Sequence, residues 1–84
     1  MKIIFSTQGW EDYLYWQATD RKVLRRINDL IKETVRTPFQ GIGKPERLKH
    51  VLAGYWFRRI TDEHRMIYMV EEKSLLIAQL RYHY

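Results

Sequence analysis

The sequence predicts an α+β domain in which two N-terminal helices pack on one face of a mainly antiparallel sheet. Up to residue 37, most apolar residues recur at helical spacing and residues suited to helix caps precede them. After residue 54, the chain consists of apolar runs with short polar breaks, which is typical of strands. Helices followed by strands are typical of the α+β class. The 84 residues, 45% of them hydrophobic, suit one domain covering residues 1–84 with a packed core.

The first two predicted elements are a short strand and a helix. Residues 1–5 are mostly apolar and read as the strand. Ser6 and Thr7 can cap a first helix that reaches about Gln17, because a hydroxyl oxygen can accept a hydrogen bond from a free N–H of the first turn.

The second predicted helix has clearer boundaries. Asp20 is the expected N-cap, and an apolar stripe from Val23 to Val35 lies opposite a row of Arg and Lys side chains. The helix should end at Thr37, because the residue before Pro38 is pushed out of helical geometry.

The remaining chain predicts strands. Glycines and prolines mark residues 39–45 as a loop, and residues 46–52 can form a short strand. Apolar and aromatic runs follow at residues 55–61, 64–70 and 74–82. With the three longer runs counted as its later strands, the predicted order is β-α-α-β-β-β, with the helices on one face of the sheet.

The strand register predicts a basic face. A three-residue loop at 61–63 places Arg59 opposite Arg65, and a similar loop at 71–73 places Arg65 opposite Gln79. Because side chains alternate along strands, Arg59, Arg65, Arg81 and His83 would then share the face away from the helices.

Composition limits the classes of function. A net charge of +5 and a pI near 9.7 favour a polyanionic partner, either nucleic acid or an acidic protein, although a solvated basic surface is the plain alternative. The absence of cysteine excludes disulfides, thiolate metal sites and thiol nucleophiles. His50, His64 and His83 are too scattered for a metal site, and we expect neither a metal nor another cofactor.

No membrane-targeting signal is expected. The apolar stretch at residues 3–5 is too short for a signal peptide, and no stretch approaches membrane-spanning length. We therefore predict a cytoplasmic protein with no membrane association.

Together, several side chains supply the parts for metal-free cleavage of RNA. Attack of a ribose 2′-hydroxyl on its own phosphate needs a base, a charge clamp and an acid. Glu46, Arg65 and His83 fit these roles, and Lys49 and Arg59 add positive potential. Singly, each has a plain alternative: a surface carboxylate, a weak rim ion pair, or a packed or frayed terminus.

Four segments carry a family resemblance: residues 11–17, 36–50, 54–65 and 81–84. Their most specific parts are the loop from Gly41 to Glu46 and the closing Tyr82-His83-Tyr84. They closely resemble the YoeB toxins of the RelE/ParE superfamily, and the resemblance covers the whole chain.

This resemblance implies a RelE-like, microbial-ribonuclease-type fold and the toxin half of a bacterial type II toxin–antitoxin pair. Such toxins are ribosome-dependent endoribonucleases that cut messenger RNA in the ribosomal A site. The family's general base falls on Glu46, its phosphate-stabilising arginine on Arg65 and its general acid on His83. The supporting and substrate-orienting positions of the resemblance fall on Lys49, Arg59 and Tyr84. Arg81, from the predicted basic face, is a further candidate for substrate binding.

The resemblance also implies partners. They are the ribosome with its messenger RNA, and a YefM-type antitoxin that is acidic and partly disordered. The expected assemblies are a homodimer, or two toxins with antitoxin in a heterotrimer or heterotetramer.

Departures from the family pattern are few. Phe57 stands where serine is expected, and Arg47 and Gln79 also look unusual. None removes a proposed catalytic group, so the departures concern partner specificity and codon preference. Two other functions stay open: a ParE-like, non-nucleolytic toxin that binds DNA gyrase, and a basic RNA-binding domain without catalysis.

Overall fold

The computed structural model describes residues 1–82, which form two helices and one five-stranded sheet. The elements are β1 (Lys2–Phe5), α1 (Thr7–Thr19), α2 (Arg21–Arg36), β2 (Glu46–Arg47), a 3-10 turn (His50–Leu52), β3 (Trp56–Arg59), β4 (Arg65–Glu71) and β5 (Ser74–Gln79). The strand order is β1-β5-β4-β3-β2, with β1 parallel to β5 and the other pairs antiparallel. The predicted α+β class and mainly antiparallel sheet are confirmed.

The helix caps lie where the sequence places them. The Ser6 side chain accepts from the Gly9 N–H at 2.9 Å, and the Asp20 carboxylate accepts from the N–H groups of Lys22 and Val23 at 3.0 and 3.1 Å. Helix α2 ends before Thr37, as predicted, while α1 continues two residues beyond Gln17. Each cap satisfies backbone donors that the first helical turn leaves free.

The core lies between the two helices and the sheet. Its fully buried apolar side chains come from α2, β4, β5 and the segment after β5: Ile27, Leu30, Met66, Tyr68, Leu75, Ile77 and Leu80. Gly9 lets α1 approach the sheet, because a Cβ at this position would collide with the carbonyl oxygen of Ile77. No helix within residues 1–82 combines the length and apolar character needed to cross a membrane.

The predicted strand at residues 46–52 is much shorter in the structure. Only Glu46 and Arg47 pair with β3. The Leu48 N–H still donates to the Tyr55 carbonyl at 2.9 Å, and then the chain turns at His50, whose φ is +59°. A left-handed residue cannot continue an extended strand, so a 3-10 turn replaces the expected pairing.

The register is predicted correctly on one side of β4 and wrongly on the other. Arg59 pairs with Arg65, as expected, but Gln79 pairs with Ile67 and not with Arg65. A two-residue turn replaces the expected three-residue loop, and a bulge follows between Ile67 and Tyr68. Each feature shifts the register by one residue, so beyond the bulge Gln79 still lies on the face of Arg65, as predicted.

Candidate active site

A row of side chains crosses the sheet face that points away from the helices. Glu46 of β2 pairs with Phe57 of β3, Phe57 pairs with Ile67 of β4, and Ile67 pairs with Gln79 of β5. Paired residues in adjacent strands point to the same face. The even-numbered β3 and β4 residues, such as Tyr68, lie in the core, which assigns this row to the opposite face.

Two arginines form the next row on this face. Arg59 and Arg65 are paired across β3 and β4, two positions along from Phe57 and Ile67. From ideal strand spacings, the Cα atoms of Glu46 and Arg65 are roughly 12 Å apart. Glu46 and Arg65 therefore lie on one face of the sheet, two strands and two positions apart.

Arg65 is held in place by the turn between β3 and β4. Its side chain is only 7% exposed, and Nη1 donates to the carbonyls of Thr61 at 2.6 Å and of Asp62 and His64 at 3.1 Å. These hydrogen bonds fix the guanidinium group relative to the turn. A positive charge held in one position is the kind of preorganisation that stabilises developing charge.

The other basic candidates near this face are more exposed. Arg59 lies 3.6 Å from the Asp62 carboxylate, and with side-chain exposures of 47% and 99% this contact is a weak surface pair. Lys49 is exposed immediately before the 3-10 turn, three residues after the exposed Glu46. Both cations can attract a polyanion without being fixed in one geometry.

Arg81 does not join the arginine pair. Its guanidinium carbon lies 3.7 Å from the ring centre of Tyr15 on α1 and 4.8 Å from that of Tyr82. The prediction that Arg81 shares the face of Arg59 and Arg65 is therefore wrong. The reason is that β5 ends at Gln79, and beyond that residue strand alternation no longer sets the side-chain direction.

The segment after β5 is anchored by side chains instead of by ladder bonds. The buried Asp12 carboxylate accepts from the Leu80 N–H at 2.9 Å, and the Trp16 indole N–H donates to the Leu80 carbonyl at 2.9 Å. Two residues on, the Tyr82 N–H donates to Nδ1 of His64 at 2.7 Å, and the Tyr82 carbonyl accepts from the Arg65 N–H at 3.1 Å. The chain is thus fixed up to the position where the described residues end.

His83 and Tyr84 lie outside the described residues, so their predicted roles as general acid and substrate contact stay predictions. The anchored segment nevertheless bears on them. The Arg65 N–H bonds to Tyr82, the residue before His83. The chain therefore leaves residue 82 beside the same arginine that pairs with Arg59.

The loop that leads to Glu46 is built around Arg58, which is fully buried. Its Nη1 donates to the Ile42 carbonyl at 2.9 Å, and its Nη2 donates to the carbonyls of Thr37 at 2.5 Å and Gln40 at 3.0 Å. The Tyr68 hydroxyl donates to the Pro38 carbonyl at 2.7 Å. Burial raises the pKa of the Tyr68 phenol, although Arg58 acts in the opposite direction, so Tyr68 stays a neutral donor.

Sequence patterns do not predict the supporting contacts of three residues: Asp12, Arg58 and His64. The charge of Arg58 gives no hint of the carbonyls that it binds. His64 was considered only as a metal ligand. Within residues 1–82, no three His, Asp or Glu side chains converge in a way that could hold a metal ion.

Comparison with known proteins places this chain among bacterial toxins. Residues 5–84 match the family described as YoeB-like toxin of bacterial type II toxin-antitoxin system. Toxin YoeB of Escherichia coli K12 is 62% identical over 84 residues, covering all of both chains.

Two solved structures show the same likeness. A YoeB/ParE toxin from Agrobacterium tumefaciens superposes with a TM-score of 0.98 at 50% identity, covering all of both chains. A YoeB chain in a heterotetrameric YoeB-YefM toxin-antitoxin complex from Staphylococcus aureus gives a TM-score of 0.92 at 47% identity, covering 100% of this chain and 98% of that one. The chain belongs to the YoeB-like toxins of bacterial type II toxin–antitoxin systems.

Proposed function

We propose that this toxin is a ribosome-dependent, metal-independent endoribonuclease that cuts messenger RNA in the A site and so inhibits translation. The observation that carries the proposal is the pairing that puts Glu46 and the Arg59–Arg65 pair in adjacent rows of one sheet face. A carboxylate and two guanidinium groups at this spacing suit a phosphodiester with a reactive neighbouring hydroxyl.

The proposed reaction uses the RNA's own nucleophile. Glu46 takes the proton of the ribose 2′-hydroxyl as its oxygen attacks the adjacent phosphorus, and Arg65 stabilises the charge that grows on the phosphate oxygens. The bond from phosphorus to the 5′-oxygen breaks, and His83 protonates that leaving oxygen. The products are a 2′,3′-cyclic phosphate on one fragment and a 5′-hydroxyl on the other.

The proposed substrate-binding residues have unequal support. Lys49 and Arg59 are exposed cations near the row that contains Glu46 and attract the RNA backbone. Tyr84 is assigned to substrate orientation by the family resemblance. Arg81, stacked on Tyr15, acts by holding the terminal segment against α1, and a direct RNA contact would require it to leave that ring.

The proposed partners are the ribosome with its message and an acidic, partly disordered antitoxin of the YefM type. A net charge of +5 favours both polyanions. The heterotetrameric YoeB-YefM complex from Staphylococcus aureus supports a similar assembly for this chain, and a YoeB dimer from the same organism supports a homodimer. Binding of antitoxin should both inhibit the toxin and stabilise it by mass action. We place the complex in the cytoplasm, where ribosomes are found.

A reconstituted translation reaction tests this function. Primer extension on the message should reveal discrete cuts that require ribosomes, and the new ends should be 2′,3′-cyclic phosphate and 5′-hydroxyl. Glu46→Gln should remove the cuts without changing the thermal unfolding temperature. Uncut message together with inhibition of DNA supercoiling by gyrase would replace the proposal with the gyrase-binding alternative.

A further inference from the structure

A small cavity lies on the other side of the sheet edge from Glu46. Its volume is about 300 Å³, and it is lined by Phe39, Arg47, Gly54, Tyr55 and Trp56. This volume is at the lower end for small-molecule sites, which is enough for one planar ring system. None of the roles assigned above uses the cavity.

The walls of the cavity combine aromatic rings with a cation. The ring centres of Phe39 and Trp56 are 4.6 Å apart, and the guanidinium carbon of Arg47 lies 5.5 Å from the Trp56 ring. Phe39 is 51% exposed, whereas Trp56 is partly buried against the core. One ring is therefore accessible and its neighbour is rigidly supported.

Such a combination suits an unpaired nucleotide. Aromatic rings stack with the face of any nucleobase, and an arginine beside them can hold a backbone phosphate. An acidic peptide would satisfy Arg47 but would make no use of the flat faces of two adjacent rings. The chemistry of the cavity thus favours single-stranded RNA over a protein segment.

The position of the cavity connects it to the candidate active site. Glu46 and Arg47 are consecutive in β2, so their side chains point to opposite faces: Glu46 pairs with Phe57, and Arg47 pairs with Trp56. Strand β2 is also the last strand in the order β1-β5-β4-β3-β2. A single strand of RNA that has a phosphate at Glu46 can pass around this edge and bring a neighbouring nucleotide to Arg47.

We propose that Phe39, Arg47 and Trp56 form a secondary subsite for an unpaired nucleotide that flanks the cleaved phosphodiester. The inference rests on the proposed ribonuclease function and adds a second contact on the opposite face of the same strand. The base lies against Phe39 and Trp56, and Arg47 holds its phosphate.

Binding of a fluorescein-labelled, fully 2′-O-methylated single-stranded oligonucleotide tests the subsite without cleavage. Phe39→Ser should weaken binding about 5-fold or more, because one stacked base is lost, while Phe39→Tyr should keep the affinity. Arg47→Ala should lower the slope of log Kd against log salt by about 0.7, the value for one phosphate contact on a single strand. Arg25→Ala, which removes the same charge from an exposed position on α2, should leave that slope unchanged.

Each contrary outcome overturns a defined part of the inference. Normal binding by Phe39→Ser, or equal slope changes for Arg47→Ala and Arg25→Ala, would leave a general electrostatic attraction and no subsite. If the same two substitutions weaken an acidic antitoxin peptide but not the oligonucleotide, the cavity is a protein-binding site and the proposal is wrong. An unsubstituted toxin that neither binds the oligonucleotide nor cuts message overturns the subsite and the proposed function together.

Discussion

The backbone N–H of Tyr82 donates a hydrogen bond of 2.7 Å to Nδ1 of His64, 18 residues earlier in the chain. Tyr82 has a φ of +61°, a left-handed conformation that non-glycine residues adopt only when their surroundings hold them there. The His64 ring is itself held edge-on to Trp16, with ring centres 4.9 Å apart. His64 is therefore a positioning residue for the chain end that carries the proposed general acid.

Substitutions of His64 should distinguish the effect of its hydrogen-bond acceptor, Nδ1, from the effect of its ring. Asparagine can place its side-chain oxygen near the position of Nδ1, whereas glutamine places its polar atoms near Nε2. We expect His64→Asn to keep most of the single-turnover cleavage rate, and His64→Gln and His64→Ala to lose about 10-fold, the effect of one lost hydrogen bond of about 1.4 kcal/mol. A rate measured at saturating ribosomes reports this difference, and equal rates for the asparagine and glutamine variants would contradict the positioning role.

Arg65 should be the most sensitive of the basic residues. Arg65→Ala removes a fixed charge and should lower the cleavage rate by about 10²–10³-fold, while Arg59→Ala and Lys49→Ala should act less and partly through salt-sensitive binding. Because Nη1 also holds the turn, unfolding of each variant must be measured alongside its rate. Arg65→Lys keeps the charge without the fork, so its rate should lie between wild type and alanine. Near-normal cleavage by a folded Arg65→Ala variant would exclude the assigned role.

Removal of His83 and Tyr84 should separate folding from chemistry. Leu80 is the last core residue of the described chain, so a protein ending at Tyr82 should unfold within a few degrees of the wild type. The truncated protein should nevertheless lose cleavage. The His83→Gln variant should keep ribosome binding, and its cleavage rate should lose the dependence on pH that an imidazole acid gives. Tyr84→Phe should do less harm because the ring remains. A stable truncated protein that cuts message at the wild-type rate would show that another group supplies the proton.

Arg58 should stabilise the fold through its hydrogen bonds to the loop carbonyls. Its substitution by lysine or methionine leaves partly buried carbonyls of the loop after α2 without donors, and we expect a loss of about 2–4 kcal/mol in the free energy of unfolding. Arg59→Ala is the matched control. Arg59 is the exposed neighbour of Arg58, so its substitution should change the free energy of unfolding by about 0.5 kcal/mol or less. Chemical denaturation measures both. Equal losses at the two positions would mean that the carbonyl contacts do not stabilise the loop.

Glu33 predicts a modest pH dependence of stability. Hydrogen bonds from Arg36 and Thr37 lower the pKa of this carboxyl below its usual value of 4.5. A group with a lowered pKa stabilises the fold above its unfolded pKa and loses that contribution as the pH falls through the folded pKa. Glu33→Gln should therefore lower the urea midpoint at about pH 6, with the difference from wild type shrinking towards about pH 3. Glu11→Gln, an exposed change on α1, should show no such convergence.

Local signals predicted much of the fold. Asp20 and the Thr37-Pro38 pair mark the ends of α2 because capping and the proline restriction act within a few residues. The pairing of Arg59 with Arg65 follows from the short loop between β3 and β4. Such features depend on residues that are close in sequence, so they can be predicted from short segments of it.

Features that depend on distant contacts were not predictable. The bulge between Ile67 and Tyr68 and the stacking of Arg81 on Tyr15 are fixed by how α1 and the sheet meet. The burial of Arg58 depends on carbonyls up to 21 residues away. The residues proposed for catalysis could be chosen from the sequence by their side-chain chemistry. The residues that position them act through tertiary contacts, which the sequence does not reveal.

The place of β5 between β1 and β4 has a consequence for the order in which the molecule is made. Strand β1 is synthesised first, but its only partner in the described sheet is β5, which begins at Ser74. A growing chain on the ribosome therefore carries an unpaired first strand until residues 74–79 have been made. The core likewise gains Leu75 and Ile77 only at that stage, after both helices have been synthesised.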